Sequence, residues 1–306
     1  MMNTVRIQEQ TALRLMPIAE EKNGAAFARR LCSAAGYGGA VFAPTGAEAK
    51  AQAVALARAY SAKKYGPGRD RVLVVTEGSF DLWLANAPDY AALPAGDGKA
   101  LAQALDGSVC ALVFSFWTPD AGALEGNYVK ELLRLCRSVG VLTISDETAL
   151  GLGRTGSLLA GECYGVKPDL TVVSRGLPFG LCLVRGGLET EYGSFAPSSR
   201  ACAEAMELLD GLLLPGALEN IAQTGQYLKE KLCFMPGLCQ VRGLGLALSA
   251  LPKTKDAAWA AEAARDLGLA VEARQGVLVL LPDLKLGKPE LAQKLVLLYR
   301  ILSAKE

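Results

Sequence analysis

The sequence predicts an α/β domain with a mainly parallel central sheet and helices on both faces, followed by a smaller α+β domain. With 306 residues, of which 51% are hydrophobic, the chain can bury a large core. Short runs of Val, Leu and Ile alternate with helical stretches, as in strands that are buried on both faces. This alternation ends near Cys202. We therefore predict domains over residues 1–205 and 206–306, with the boundary near residues 205–215.

The first predicted domain contains strands that are short and almost wholly apolar. They are Gly39–Phe42, Val72–Val75, Ala111–Ser115, Val141–Ser145, Leu170–Ser174 and Leu181–Val184. Helices are predicted between them at Glu48–Tyr65, Gly98–Leu105 and Gly126–Ser138. This order of strands and helices is typical of a parallel sheet with crossover helices.

The second predicted domain begins with a long helix that would join it to the sheet. The predicted elements are helices Cys202–Leu213 and Leu218–Leu232, strand Leu238–Ser249, helix Ala257–Leu267, strands Leu269–Ala273 and Val277–Leu281, and helix Lys288–Ser303. Arg242-Gly-Leu-Gly within this region favours a bend over a nucleotide-binding loop, because the context of such a loop is missing.

Charge and composition exclude several classes of protein. The formal net charge is +1, with neither a basic field for nucleic acid nor an acidic tail. Apolar runs such as Val277–Leu281 have the length of a strand, so we expect no membrane span. The N-terminus lacks the pattern of a signal peptide, and the eight cysteines form no CxxC pair. We expect a reduced, cytoplasmic protein.

The sequence contains no histidine. Histidine-based metal sites and Ser-His or Cys-His nucleophiles are therefore excluded, and we predict no metal site. Acid–base chemistry near neutral pH would need Lys, Asp, Glu, Tyr or Cys.

Two stretches carry motifs whose order and spacing are specific. Ser145–Gly156 reads SDETALGLGRTG and is followed by YGVKPD at Tyr164–Asp169 and TVVSRG at Thr171–Gly176. Thr45–Ala49 reads TGAEA and precedes a predicted long helix. Taken singly, a glycine-rich turn is most often a tight connection, and strands ending in Asp-Glu are common in doubly wound proteins.

Together these stretches resemble the class III aminotransferases of the acetylornithine, ornithine and 4-aminobutyrate type. That family has the patterns SGAEA, DEVQTGxGRTG, YGVxPD and KGxxxG in this order. Weaker similarity extends from about residue 25 to the C-terminus. The resemblance implies fold type I, a pyridoxal phosphate cofactor and a homodimer.

The resemblance also implies roles for individual residues. Asp146 would pair with the protonated pyridine nitrogen of the cofactor, which keeps the ring an electron sink. Thr45, Gly46 and Ala47 would hold the phosphate at the beginning of a helix, where free N–H groups and the helix dipole favour an anion.

Two further cofactor residues are implied by position. Phe80 matches the aromatic residue that stacks on the cofactor ring. Ser194 matches the hydroxyl that reaches the phosphate from the neighbouring subunit.

The pattern breaks at the residue that should form the internal aldimine. Arg175 stands 29 residues after Asp146, where the family has its lysine. Arginine stays protonated and does not form a Schiff base under ordinary conditions. No catalytic residue is therefore intact, and bound pyridoxal phosphate would be non-covalent.

Other expected groups are also replaced. Where the family has Glu-Pro, this chain has Ser115-Phe116, and where the family has His-Gly-Arg it has Asp81-Leu82-Trp83. Ala149 replaces the glutamine of the family's DEVQ, Val279 replaces its carboxylate-binding arginine, and Ala196–Ser199 replaces its GNP turn. The N-terminal segment of the family is expected to be largely missing, since the TGAEA residues begin at Thr45.

The leading hypothesis is a transamination-deficient homodimer that binds or assembles with a partner. The first alternative is a pyridoxal phosphate enzyme with altered chemistry, in which Asp146 holds the ring and Arg175 or Lys167 contacts it. The second is a subunit that completes the site of an active aminotransferase paralogue. A trapping substitution at Arg175 in an active enzyme would not explain the other replacements.

Overall fold

The computed structural model describes residues 5–6, 23–76, 89–188, 195–266, 271–274 and 276–303, and the fold is given for these residues. In chain order the elements are β1 Val5–Arg6, α1 Gly24–Ala35, β2 Gly39–Ala43, α2 Gly46–Tyr65, β3 Arg71–Thr76, β4 Tyr90–Pro94, α3 Gly98–Ala104, β5 Val109–Phe114, β6 Trp117–Thr118, β7 Gly122–Ala123, α4 Gly126–Val139, β8 Leu142–Asp146, α5 Ala160–Cys163, β9 Leu170–Val173, β10 Gly180–Val184, α6 Ser199–Leu212, α7 Ala217–Cys233, β11 Leu238–Leu244, β12 Ala247–Pro252, α8 Ala257–Asp266, β13 Val271–Arg274, β14 Val277–Leu280 and α9 Lys288–Ser303.

The chain divides into two units. The first comprises Met1–Phe116, Glu125–Leu152 and Gly161–Leu213, as far as these residues are described. The second comprises Trp117–Leu124, Gly153–Ala160 and Leu214–Glu306, with the same restriction. The long helix α6 lies wholly in the first unit.

The first unit is built on an eight-stranded sheet in the order β1-β2-β10-β9-β8-β5-β3-β4. The pairs β9/β8, β8/β5, β5/β3 and β3/β4 are parallel. Strand β10 is antiparallel to both β2 and β9, so β2 and β9 run in the same direction. The fold prediction of a mainly parallel α/β sheet is confirmed.

Helix α2 covers one face of this sheet. Small residues such as Ala49, Ala53 and Ala57 are buried and share a core cluster with Val41 and Val172 on the strands. Small side chains let the helix approach the sheet closely, which explains the alanine-rich sequence.

Helix α1 lies on the opposite face. Successive strand residues point to opposite faces, and Phe42 lies between Val41 and Ala43 of the α2 core. Its ring packs against Phe27 of α1, with a centroid distance of 6.5 Å, and against Phe179 at 5.2 Å. Helices on both faces were predicted, although α1 itself was not.

The second unit contains a four-stranded antiparallel sheet in the order β11-β12-β14-β13. The prediction of one strand over Leu238–Ser249 was wrong, because the segment forms the hairpin of β11 and β12. Gly245 in its turn has φ +58°, a conformation that favours glycine. The prediction of a bend at Arg242-Gly-Leu-Gly is confirmed.

The other predicted strands and helices agree with the structure to within a few residues. Strand β4 was not predicted, because Tyr90–Pro94 has too few strongly apolar residues to stand out. Residues 267–270 lie outside the described part, so β13 begins at Val271. Among the described residues, no helix has the length and apolarity needed to cross a bilayer.

Several cysteines lie in the core of the first unit. Burial raises the pKa of the Cys32, Cys136 and Cys182 thiols to about 12 and that of Cys110 to about 11. These groups are protonated and unreactive at neutral pH.

These thiols predict a loss of stability at alkaline pH. The unfolded chain loses each proton near pH 9 while the folded chain keeps it, so the stabilising contribution is complete below pH 9 and falls as the pH rises towards 11 to 12. We expect the variant Cys182→Ala to lose less unfolding free energy per pH unit above pH 9 than the wild-type chain, by up to about 1.4 kcal/mol per unit. Urea unfolding in reductant at pH 7, 9 and 10 measures it.

The exposed residue Cys233 provides the matched control. Cys233→Ala should leave the slope of stability against pH unchanged. Equal slopes for the two variants would contradict the assignment of the alkaline transition to the buried thiols.

Candidate functional site

Four strands of the first unit end at one edge of the sheet and place the predicted site residues there. Strands β2, β5, β8 and β9 run in the same direction. The residues at their carboxyl ends include Thr45, Ser115, Asp146 and Ser174. Ligands of open α/β sheets bind at this edge.

The Thr45 side chain caps helix α2. Its hydroxyl accepts a hydrogen bond from the Glu48 N–H at 3.2 Å and donates one to Glu48 Oε2 at 2.9 Å. This is a variant of the capping box, in which the carboxylate reaches the hydroxyl. The Thr45 hydroxyl, which the sequence analysis assigned to a phosphate, is thus engaged within the helix terminus.

Gly46 and Gly180 allow the beginning of α2 to pack directly on the sheet edge. A Cβ added to Gly46 would lie 2.5 Å from Ser174 Oγ and 2.9 Å from its Cβ. A Cβ added to Gly180 would overlap the Thr45 carbonyl oxygen. Ala47 is exposed in the first turn of the helix, where N–H groups have no intrahelical partner.

Asp146, the last residue of β8, has both carboxylate oxygens engaged by the protein. Oδ1 accepts hydrogen bonds from the Thr148 N–H at 3.0 Å and the Thr148 hydroxyl at 2.6 Å. Oδ2 forms an ion pair with Lys50 Nζ at 2.7 Å. The side chains of Lys50 and Asp146 are only 13% and 16% exposed. The backbone is held as well, since the Ser115 hydroxyl donates to the Asp146 carbonyl at 3.0 Å.

Lys50 was missed by the sequence analysis. It lies in the second turn of α2, between the buried residues Ala49 and Ala53. A lysine beside the buried alanines of an otherwise close-packed helix is the signal that could have identified it, because a charge there needs a partner.

Arg175 follows β9 at the same edge. Its backbone packs on Gly151, which has φ +64° and where an added Cβ would overlap the Arg175 carbonyl oxygen. Ser174, the preceding residue, donates to the Thr148 carbonyl at 3.5 Å. The Arg175 side chain is half-buried.

A buried polar network lies behind the end of β8. The hydroxyls of Tyr37 and Thr171 are 2.7 Å apart, and those of Thr171 and Ser145 are 2.8 Å apart. Ser145 also donates to the fully buried Glu147 carboxylate at 3.4 Å. Burial raises the pKa of Tyr37 far above its usual range, so its hydroxyl stays protonated. The network fixes the residues on both sides of Asp146.

Some predicted residues lie elsewhere. Lys167 is exposed, and its ammonium donates a hydrogen bond to the Gly36 carbonyl at 2.9 Å. It precedes the first residue of β9 and therefore lies at the opposite edge of the sheet from Asp146. Val279 is buried within the second unit, paired with Ser249 across the sheet. Phe116 is fully buried and stacks on Tyr164 with a centroid distance of 5.0 Å.

Four of the residues considered lie outside the described part of the chain. These are Phe80, Asp81, Trp83 and Ser194. Their proposed contacts with a cofactor stay predictions. Within the described residues there is no group of three or more Cys, Asp or Glu side chains that could hold a metal ion.

The residues at the sheet edge do not fit pyridoxal phosphate in the way that the resemblance implies. The Asp146 oxygens already accept two hydrogen bonds from Thr148 and an ion pair from Lys50, so a pyridinium would have to share Oδ2 with the Lys50 ammonium. Arg175 cannot supply the aldimine nitrogen. The first-turn N–H groups at Gly46 and Ala47 are the part of the predicted cofactor site that has the expected chemistry.

Sequence comparisons agree on one family. The family model described as aminotransferase class-III matches residues 92–302, a region that contains Asp146 and Arg175. An acetylornithine aminotransferase from Caldanaerobacter subterraneus subsp. tengcongensis is 28% identical over 307 residues, covering 90% of this chain and 78% of the relative. Another from Bacillus cereus is 27% identical over 297 residues, covering 86% and 75%.

Solved structures give the same result for the fold. The chain is similar to Plasmodium falciparum ornithine delta-aminotransferase, with a TM-score of 0.78 and 27% identity over 90% of this chain and 76% of that one. The acetylornithine aminotransferase from Elizabethkingia anophelis gives a TM-score of 0.79 at 23% identity, covering 90% and 78%. The fold is therefore that of the fold-type I aminotransferases.

Proposed function

The chain belongs to the class III aminotransferase family, and we propose that it is a transamination-deficient member that acts by binding or assembly. One feature carries the proposal: the resemblance puts Arg175, 29 residues after Asp146, where the family pattern has its aldimine lysine. Lys50, whose ammonium lies 2.7 Å from the Asp146 carboxylate, is committed to an ion pair with it.

The chemistry of arginine supports this proposal. Transamination needs an amine that forms a Schiff base and then moves a proton between two carbon atoms of the substrate adduct. A guanidinium stays protonated and does neither. The half-buried Arg175 side chain can instead bind an anion through several parallel N–H groups.

The substituted residues of the substrate site support the same conclusion. Val279, at the position of the carboxylate-binding arginine, carries no charge and is buried in the second unit. The Ala149 side chain has no group that could hydrogen-bond to a cofactor oxygen. A substrate amino acid would therefore lack its usual anchors.

We further propose that the chain works as a cytoplasmic homodimer. The resemblance implies that each site of the family takes groups from two subunits. On this basis the binding partner is another protein or a phosphate-bearing ligand. The alternative, in which the chain completes the site of an active aminotransferase paralogue, predicts that the two proteins purify together as one complex.

The test is to incubate the chain with pyridoxal phosphate, reduce it with borohydride and locate the modified residues by mass spectrometry. Turnover of amino donors with 2-oxoglutarate is measured in parallel with an active acetylornithine aminotransferase. We expect no adduct in the segment around Arg175 and turnover at least about 10³-fold below the active enzyme, as loss of a proton-transfer group predicts.

The variants Arg175→Lys and Asp146→Asn complete this experiment. Arg175→Lys restores an amine at the position of the family lysine, so a new adduct there would locate the site. The proposal is wrong if the wild-type chain transaminates at the rate of the active enzyme. Loss of that turnover in folded Asp146→Asn protein would show that it depends on this site. That result would favour an enzyme with altered chemistry.

A further inference from the structure

We infer that Lys50 determines which ligands this edge of the sheet accepts, because its ammonium holds the carboxylate oxygen that a protonated pyridine ring would need. The inference deepens the proposed function and rests on it, since it assumes that the sheet edge is a binding site. It assigns Lys50 as a specificity-determining residue that discriminates against ring cations such as pyridoxamine phosphate.

The geometry of the ion pair is that of a strong, charge-assisted interaction. Lys50 Nζ lies 2.7 Å from Asp146 Oδ2, within the usual range for an ammonium and a carboxylate. Both side chains are more than four-fifths buried, so solvent screens the pair only weakly. The ion pair is therefore a fixed feature of this edge of the sheet.

The other carboxylate oxygen, Oδ1, is less available to a ring than Oδ2. Oδ1 already accepts two hydrogen bonds from Thr148, through its N–H and its hydroxyl. A pyridinium approaching Oδ2 would meet the Lys50 ammonium at short range, and two positive charges in a partly buried site repel each other. A pyridine ring whose nitrogen is not protonated has no N–H to donate to the Asp146 carboxylate, so it could not form this pair either.

Lys50 cannot withdraw together with its helix. The beginning of α2 is fixed by the close approach of Gly46 to Ser174 and of Gly180 to the Thr45 carbonyl. The neighbouring residue Ala49 is fully buried in the sheet core. Only the lysine side chain can move, and its departure would leave the Asp146 carboxylate partly buried without a countercharge.

The ligand class that suits this arrangement is a phosphate or carboxylate without a cationic ring. The Asp146 charge is neutralised by Lys50, and Arg175 follows β9 at the same edge. An anion would be attracted by Arg175 and by the first-turn N–H groups of α2 and opposed by the Glu48 carboxylate beside Thr45, whereas a cationic ring would have to share its acceptor with Lys50.

Calorimetric titration with pyridoxamine phosphate tests the inference. This probe carries the pyridine ring and the phosphate but no aldehyde, so surface lysines do not react with it. Inorganic phosphate serves as the ring-free probe. We expect Lys50→Asn to bind pyridoxamine phosphate at least tenfold more tightly than the wild-type chain, with inorganic phosphate affected less than threefold.

Two controls separate charge at this position from other effects. Lys50→Arg keeps the cation and should leave the affinity for pyridoxamine phosphate low. Lys63→Asn makes the same charge change at an exposed position on the same helix and should have no effect on either probe. Circular dichroism verifies that each variant is folded, and Lys50→Gln replaces Lys50→Asn if the latter is not.

The inference is overturned if neither neutral variant binds pyridoxamine phosphate more tightly than the wild-type chain. It is also overturned if inorganic phosphate gains as much as pyridoxamine phosphate, since the effect would then be a general change in charge. Both results are independent of the turnover and adduct measurements that test the proposed function, so failure of one can be told apart from failure of the other.

Discussion

Replacing Gly180 with alanine is expected to destabilise the first unit by about 3 kcal/mol or more, as overpacking of a rigid core does. The new methyl group would overlap the Thr45 carbonyl and lie 2.9 Å from the Ala49 Cβ. Neither can move without displacing the beginning of α2, because both belong to the helix terminus that packs on the sheet. Thermal unfolding should occur roughly 6 to 12 °C lower than in the wild-type chain.

Gly107→Ala is the matched control for this prediction. Gly107 has no atom within 4 Å of its added Cβ, so the same change there should shift stability by no more than about 0.5 kcal/mol. Circular dichroism melts of both variants measure the difference. Equal melting temperatures would mean that the close approach at Gly180 is not a constraint on the fold.

Removing the charge of Asp146 is the second change with a large expected effect. Asp146→Asn leaves the Lys50 ammonium more than four-fifths buried with no carboxylate. Loss of one partner of a buried ion pair costs about 3 kcal/mol. The double variant Lys50→Met with Asp146→Asn should recover most of this loss, because neither charge then remains in the site.

The exposed ion pair between Arg30 and Asp210 is the control for this cycle. Both of its side chains are 52% exposed, and such pairs contribute about 0 to 1 kcal/mol. Asp210→Asn should therefore change the unfolding free energy, measured in urea, far less than Asp146→Asn. Similar losses for the two variants would show that the Lys50–Asp146 pair is not a structural interaction.

The sheet strands of the first unit were predictable because they are buried on both faces and read as continuous apolar runs. Val72–Val75 and Leu170–Ser174 are examples, and the motif positions Thr45, Asp146 and Arg175 follow directly from the strands that precede them. Parallel strand ends meet at one edge, so spacing along the chain was sufficient to bring these residues together.

The ion pair of Lys50 could not be predicted in the same way. Its formation depends on the rotation of α2 about its own axis, which is fixed by the close approaches at Gly46 and Gly180. Local periodicity does not specify contacts between residues about 100 positions apart. Likewise, the hairpin of β11 and β12 was predicted as one strand, because apolar residues continue on both sides of Gly243 and Gly245, where the turn lies.

The antiparallel strand β10 also bears on how the chain acquires its structure during synthesis. It is the only described strand that links β2 to the rest of the sheet, yet Gly180 pairs with Ala43, about 140 residues earlier. At about 5 to 20 residues per second, a ribosome needs roughly 7 to 27 s to span that interval. Until β10 has been made, the only described neighbour of β2 in the sheet is β1, so we expect the pairing of β2 with the rest of the sheet to be a late step of folding.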